Sequence, residues 1–215
     1  MSASSSQGNI FIVAVAGPSG SGKSTIAKRV AARWNGHVIS METYTAEINH
    51  LPLEKRAKLD YDAPQAIDVK LLETHIREYA EGKAIEAPIY DFAQHLRVKE
   101  RRKHIPPKSH LIVEGILALH FAQLRPYFNF SIYLEASEDV CFHRRRVRDI
   151  TERQRPMELI QWQWENTVLP AARQYSLPSK THANLVLDAN ADVASVEKMV
   201  YEAIIEKQNG APVLR

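Results

Sequence analysis

The stretch Gly17-Pro18-Ser19-Gly20-Ser21-Gly22-Lys23-Ser24-Thr25 constrains this chain more than any other. It follows an apolar run, Ile10 to Ala16, and opens into Ile26-Ala27-Lys28-Arg29-Val30-Ala31-Ala32-Arg33-Trp34. That order predicts a buried strand, a glycine-rich turn and an amphipathic helix, and the turn fits G-x-x-x-x-G-K-[ST]. Gly17, Gly20 and Gly22 can take backbone angles closed to other residues, so successive N–H groups point into one concavity. The following helix adds the positive end of its dipole. Lys23 supplies a point charge for β- and γ-phosphates and Ser24 a hydroxyl for Mg²⁺, while Ser19, Ser21 and Thr25 complete the loop. Strand, loop and helix together point to binding of a nucleoside triphosphate.

The 215 residues suffice for one α/β domain with a substantial core. No apolar run approaches a membrane span, and the polar start MSASSSQGN lacks the apolar centre of a signal peptide. Cys141 is the only cysteine, which excludes an internal disulfide and suits a reducing cytosol. A net charge of +3 does not by itself argue for nucleic acid. The expected organisation is a flexible tail over 1–8, one domain over 9–209 and a loose tail over 210–215.

Along the chain, His37 to Met41 reads as a second strand with Glu42 at its end. Ligands in open parallel sheets sit beyond the carboxyl ends of strands, so Glu42 is placed either to reach the phosphates or to make a surface ion pair. Residues 46–67 read as irregular, with short turns and acids at Asp60 and Asp62. Asp68 caps a helix from Val69 to Glu81 that Gly82 closes. Residues 84–105 read as a hairpin flap with Tyr90, Phe92 and His95 near its tip, either packed on the domain or walling a planar ring. Leu111 to Leu119 is nearly all apolar and reads as a strand buried on both faces. Glu114 interrupts it, and such a carboxylate is costly unless paired or near a metal. Phe130 to Leu134 is a further strand. Ser137 then caps a helix carrying Arg144, Arg145, Arg146 and Arg148, with Arg153 and Arg155 past its end. These arginines read as a solvated face, a nucleic-acid patch or a lid on phosphates, and the residues alone leave all three open. Met157 to Val168 reads as a helix stopping at Pro170, with 171–176 running on to a break at Pro178. Asn184 to Asp188 is a last strand. Val193 to Gln208 is a closing helix with Val196, Met199, Val200, Ala203 and Ile204 on one face.

Six blocks occur in order: GPSGSGKST at 17–25, DYDAPQAID at 60–68, APIYDFAQHLR at 87–97, VEGILAL at 113–119, RRRVRDITERQR at 144–155 and LPSKTHANLVL at 177–187. Over about residues 10–205 they resemble the uridine kinase (uridine/cytidine kinase) family, within the phosphoribulokinase/uridine kinase group of P-loop kinases. The resemblance implies an α/β, three-layer P-loop NTPase fold with a mostly parallel sheet, a β-hairpin flap (84–105) and an arginine-rich helical lid (144–157). It implies a cytoplasmic enzyme of pyrimidine salvage that uses ATP or GTP with Mg²⁺ to phosphorylate the 5′-hydroxyl of uridine or cytidine. Its partner is a small nucleoside, with no nucleic acid and no membrane, and the family commonly forms homo-oligomers, tetramers or dimers.

Position by position, the resemblance makes Glu42 the general base, with Lys23, Arg148 and Arg153 completing the catalytic set. Arg145 and Arg148 reach the ATP phosphates. Asp62 holds the ribose hydroxyls, Tyr90, Phe92 and His95 frame the pyrimidine, and Arg153, Arg155 and Gln163 contact the acceptor. Ser24 and Glu114 serve the metal. This chain departs from the family pattern at Glu42, where an aspartate is usual, and at Thr45, where an aromatic is usual. Gln154 and Pro156 stand where the family lid has a glycine and an aspartate, which is expected to stiffen the hinge. Kinases of a sugar phosphate or a pantothenate-like compound, and a weakly catalytic nucleotide-binding regulator, are the alternatives; a sugar phosphate offers no ring to Tyr90, Phe92 and His95.

Overall fold

The computed structural model describes residues 10–48 and 50–210; the expected tails, apart from Gly210, lie outside that range. Five strands form one parallel sheet in the order β2-β5-β1-β6-β7. They are β1 (Phe11–Ala16), β2 (His37–Ser40), β5 (His110–Glu114), β6 (Phe130–Glu135) and β7 (Leu185–Asp188). Strands β3 (Ile85–Asp91) and β4 (Leu96–Ile105) pair antiparallel as the separate hairpin.

The period of two in β1 decides the layers. Val13 and Val15 face a core with Ile26, Val30 and Trp34 of or beside α1 (Lys23–Arg33) and with Val196, Val200 and Ile204 of the last helix. Ile12, Ala14 and Ala16 face the other core, with Met41, Tyr44, and Leu72, Ile76 and Tyr79 of α3 (Val69–Ala80). Between α1 and α3 lies a single turn, α2 (Leu53–Arg56). Trp34 belongs to the core: its Nε1–H donates to Gln208 Oε1 at 3.1 Å and its ring stacks on His110. Asp68 Oδ1 accepts from Leu71 N at 3.2 Å, and Ser137 Oγ caps α4 (Glu138–Thr151), as their side chains lead one to expect.

Three expectations need correction. The apolar run Leu111 to Leu119 is not strand throughout. β5 ends at Glu114, level with Ser40 of β2, because Gly115 turns over the end of β1 with its N–H on Val15 O. A Cβ at Gly115 would lie 2.6 Å from Met41 Cβ, so the turn after β2 packs where the strand would continue. Ile116 to Leu119 stay buried as a turn; burial alone cannot distinguish that from a strand.

The helix beginning at Met157 does not stop at Pro170. α5 (Met157–Gln163), α6 (Leu169–Ala171) and α7 (Leu177–Ser179) run together through two π-helical turns, Trp164–Val168 and Ala172–Ser176. Leu169 N–H reaches back to Trp164 O and Leu177 N–H to Ala172 O, each five residues away. Each proline is the second residue after such a wide turn, which accommodates its ring and its missing donor. Finally, α8 (Val193–Gln208) buries Val196, Val200, Ala203 and Ile204 but leaves Met199 37% exposed.

The hairpin is irregular by necessity. Pro88 pairs with Arg102 and Tyr90 with Arg97, so residues 98–101 bulge opposite Ile89. Pro88 has no ladder donor, which suits the edge of such a bulge. Two buried arginines tie the hairpin down. Arg97 Nη2 donates to Tyr44 O at 2.6 Å, and Arg56 Nε donates to Gln94 O at 2.9 Å.

Candidate active site

The carboxyl ends of β1, β2 and β5 deliver the loop, Glu42 and Glu114 to one mouth, as the topology of a parallel sheet requires. Gly20 holds φ +89, and a Cβ there would lie 2.1 Å from Cys141 O, so the loop is pressed onto the start of α4. Gly22 at the N-cap of α1 is left-handed, with φ 94. Lys23 is 3% exposed, and its Nζ makes only one long contact among the described residues, 3.4 Å to Pro18 O. Ser21 Oγ is buried without a hydrogen-bond partner among the described residues. A buried ammonium and a buried hydroxyl with free donors fit an anion in the loop.

Ser24 Oγ donates to Glu114 Oε2 at 2.9 Å. Glu114 is 2% exposed, and burial pushes its carboxyl up against the opposing pull of Lys23. A hydroxyl and a carboxylate, both oxygen donors beside a phosphate loop, fit Mg²⁺. Glu42 lies in the short turn Met41–Tyr44, with Arg153 Nη2 at 3.5 Å. Burial pushes Glu42 up, but Arg153, Lys23, Arg148 and Arg145 together outweigh it and leave the carboxyl below its usual range. It is therefore ionised at neutral pH.

Two cavities meet at Glu42. The larger, about 920 Å³, runs along the phosphate loop past Lys23, Ser24, Glu114 and Arg148. The smaller, about 50 Å³, is walled by Asp62, Tyr90, Phe92, His95, Arg153, Arg155 and Gln163, all seven residues expected around an acceptor. Glu42, Phe92 and Arg153 line both. Arg153 lies over the Phe92 ring at 4.3 Å from its centroid. Burial, with Arg155 and Arg153 nearby, pushes His95 down to about 4, so its ring is neutral. Burial raises Asp62 to about 6; Arg145 opposes this, and Glu42 and Asp60 add to it.

The arginines of α4 do not form one surface stripe. Arg144 donates to Ala189 O at 2.8 Å and to Ala191 O, and with them lines the larger cavity beside the phosphate loop. Arg145 is buried and reaches Ser19 Oγ at 2.8 Å and Gln163 Oε1 at 3.2 Å. Arg155 donates to Phe92 O and Gln163 Oε1. Arg146 is exposed. Gln154, past the end of α4, has φ 53, a left-handed backbone that favours glycine although a long side chain stands there.

Sequence reasoning missed three residues. Tyr61 stacks on His95 at 5.2 Å and adds a fourth aromatic to the small cavity. Arg56 anchors the hairpin tip. Asp149 is fully buried and touches four arginines. Two left a signal: Asp149 is the one acid four residues from both Arg145 and Arg153, and Tyr61 lies inside the DYDAPQAID block beside Asp62.

A family model described as "Phosphoribulokinase / Uridine kinase family" matches residues 12–195. This chain belongs to that family. It is an ATP-dependent P-loop kinase. It is 39% identical over 183 residues to a uridine kinase of Serratia proteamaculans, covering 82% of this chain and 85% of that one. It is 38% identical over 183 residues to a uridine kinase of Shewanella amazonensis, covering 82% and 86%. Its fold is similar to that of phosphoribulokinase from Rhodobacter spheroides, with a TM-score of 0.60 and 16% identity over 85% of this chain and 73% of that one. No helix among the described residues of the kinase is long and apolar enough to cross a membrane.

Proposed function

We propose that this kinase transfers the γ-phosphoryl group of ATP to the 5′-hydroxyl of a pyrimidine ribonucleoside, uridine or cytidine. The observation that carries the reading is the small aromatic-walled cavity, which shares Glu42 and Arg153 with the phosphate cavity. Phe92, Tyr90 and Tyr61 present ring faces and edges to a planar base, and neutral His95 offers a hydrogen bond without a charge. Asp62 accepts from sugar hydroxyls. Glu42, ionised and on the shared wall, orients the 5′-hydroxyl and takes its proton. Lys23, the loop amides and Ser21 hold the phosphates, and Arg148 and Arg153 meet the charge that spreads over the transferring group. Ser24 and Glu114 would hold Mg²⁺, which supplies charge neutralisation on the phosphate oxygens.

A second reading rests on a specific observation: Arg145, Arg153 and Arg155 all line the small cavity, as an anionic acceptor would prefer. One experiment separates the two. ATP consumption is measured with uridine, cytidine, adenosine, guanosine, ribulose 5-phosphate and pantothenate, and each product is weighed by mass spectrometry. Turnover confined to uridine and cytidine supports the first reading. Turnover on the sugar phosphate with none on the nucleosides overturns it.

A further inference from the structure

Asp149 sits in the last turn of α4, where the helix dipole disfavours a carboxylate. It is nevertheless fully buried, and two opposing groups of side chains converge on it. Its Oδ1 takes Arg148 through Nε at 2.8 Å and Nη2 at 2.7 Å, with Arg153 Nη1 at 3.6 Å. Its Oδ2 takes Arg155 Nη1 at 2.9 Å, with Arg145 Nε at 3.6 Å. Its backbone carbonyl accepts the N–H of Arg155 at 3.0 Å, closing the turn that brings the two later arginines back. Burial pushes the carboxyl up, and the four guanidinium groups outweigh it and hold the carboxyl below its usual range.

Each arginine also touches something else. Arg145 reaches Ser19 of the phosphate loop, Arg148 lines the phosphate cavity, Arg153 meets Glu42, and Arg155 reaches the hairpin at Phe92 O. One carboxylate cannot neutralise four guanidinium groups, so charge balance alone does not account for it. Its two oxygens instead fix where four planar forks point.

We infer that Asp149 is a positioning residue that ties the phosphate-side arginines (Arg145, Arg148) to the acceptor-side arginines (Arg153, Arg155), so that donor and acceptor are aligned by one buried carboxylate. The inference rests on the phosphoryl-transfer reading above but not on the choice of acceptor. Asp149 touches neither reactant; it acts through the arginines. Without it, Arg153 is left to Glu42 alone and Arg148 loses its only ion-pair partner among the described residues.

The test compares wild type, Asp149→Asn and Asp149→Glu in the full chain. Read-outs are the melting temperature, the affinity for a non-hydrolysable ATP analogue with Mg²⁺, kcat and acceptor KM with uridine or cytidine, and the slow hydrolysis of ATP without acceptor. Asp149→Asn is expected to lower kcat about 100-fold and to raise acceptor KM, because misplacing groups by about 1 Å costs that much. Nucleotide affinity falls less than kcat does, since Lys23 and the loop amides are untouched although Arg145 and Arg148 are loosened. Asp149→Glu keeps the charge and shifts it by one methylene; it is expected to fold with a melting temperature a few degrees lower, from overpacking a buried site, and to lose about tenfold in kcat. Arg148→Met/Asp149→Asn and Arg153→Met/Asp149→Asn should be no slower than the slower single variant of each pair, because residues acting as one unit are not additive.

A folded Asp149→Asn with kcat within about threefold of wild type, or losses that multiply in the double variants, overturns the inference. Should Asp149→Asn fail to fold, a folded Asp149→Glu with wild-type kcat does the same. A wild type that hydrolyses ATP but phosphorylates neither nucleoside overturns the acceptor assignment instead, and the Asp149 comparison is then read on the hydrolysis rate.

Discussion

Arg153 stands in the way of the acceptor it is proposed to serve, and Arg153→Met exposes this. Its guanidinium lies 4.3 Å from the centroid of the Phe92 ring and 3.5 Å from Glu42 Oε2. A base stacking on Phe92 must displace it, and Glu42 must be released to meet the hydroxyl. The cation–π contact is partly desolvated and amounts to roughly 1–2 kcal/mol. The ion pair has side chains 14% and 27% exposed, so its net value is only about 0.5–1 kcal/mol. Together roughly 1.5–3 kcal/mol opposes acceptor binding in the free protein, equivalent to about 10–100-fold in Kd. Methionine keeps an apolar stem near Phe92 and removes the charge. Titration calorimetry of uridine into nucleotide-free protein should therefore show Arg153→Met binding about 10–100-fold tighter than wild type. With a non-hydrolysable ATP analogue bound, the wild-type Arg153 is drawn to the phosphates and the difference shrinks. Turnover moves the other way: an arginine meeting the transferring group supports about 10³-fold or more of the rate. A variant with lower kcat and lower acceptor KM is the signature of a lost ground-state competitor. Equal or weaker uridine binding by the nucleotide-free variant would refute the reasoning.

Three further outcomes are expected. Glu42→Gln should lower kcat about 10²–10⁴-fold with nucleotide affinity unchanged; full turnover in a rapid-quench assay removes Glu42 from the base role. Asp62, raised to about 6, should make acceptor kcat/KM climb as pH rises through that value, and Asp62→Asn should flatten the profile. The same shift means the folded protein holds this proton more tightly than the unfolded chain, so the stabilisation is present below ~4 and is lost as pH rises through the folded value. Gly20→Ala adds a left-handed backbone penalty of about 1–2 kcal/mol and an overpacking penalty of about 1–3 against Cys141 O. Scanning calorimetry should show a melting temperature lower by roughly 4–20 °C, together with weaker ATP binding; an unchanged melting temperature speaks against the packing argument.

The amino-acid order by itself determined the local features of this kinase. The phosphate loop, the caps at Asp68 and Ser137, the closing helix over Val193–Gln208 and the hairpin each rest on residues close in sequence. Short-range chemistry sets them: backbone angles open to glycine, side-chain oxygens on nearby N–H groups, and the spacing of apolar residues. The family resemblance also named most of the residues that wall the small cavity; Leu59, Tyr61, Thr167 and Val168 were not among them. What only the tertiary structure decided depends on contacts between distant segments. β5 stops at Glu114 because Met41 packs against Gly115, and the helix passes Pro170 and Pro178 because π-helical turns open before them. Ser24 meets Glu114 across 90 residues and Arg145 meets Ser19 across 126. Whether the arginines of α4 faced solvent, nucleic acid or the loop was undecidable from their spacing, because helical periodicity says which residues share a face but not what that face meets. The fold supplied that by burying Asp149 among them, where a carboxylate without its guanidinium partners would be too costly to keep.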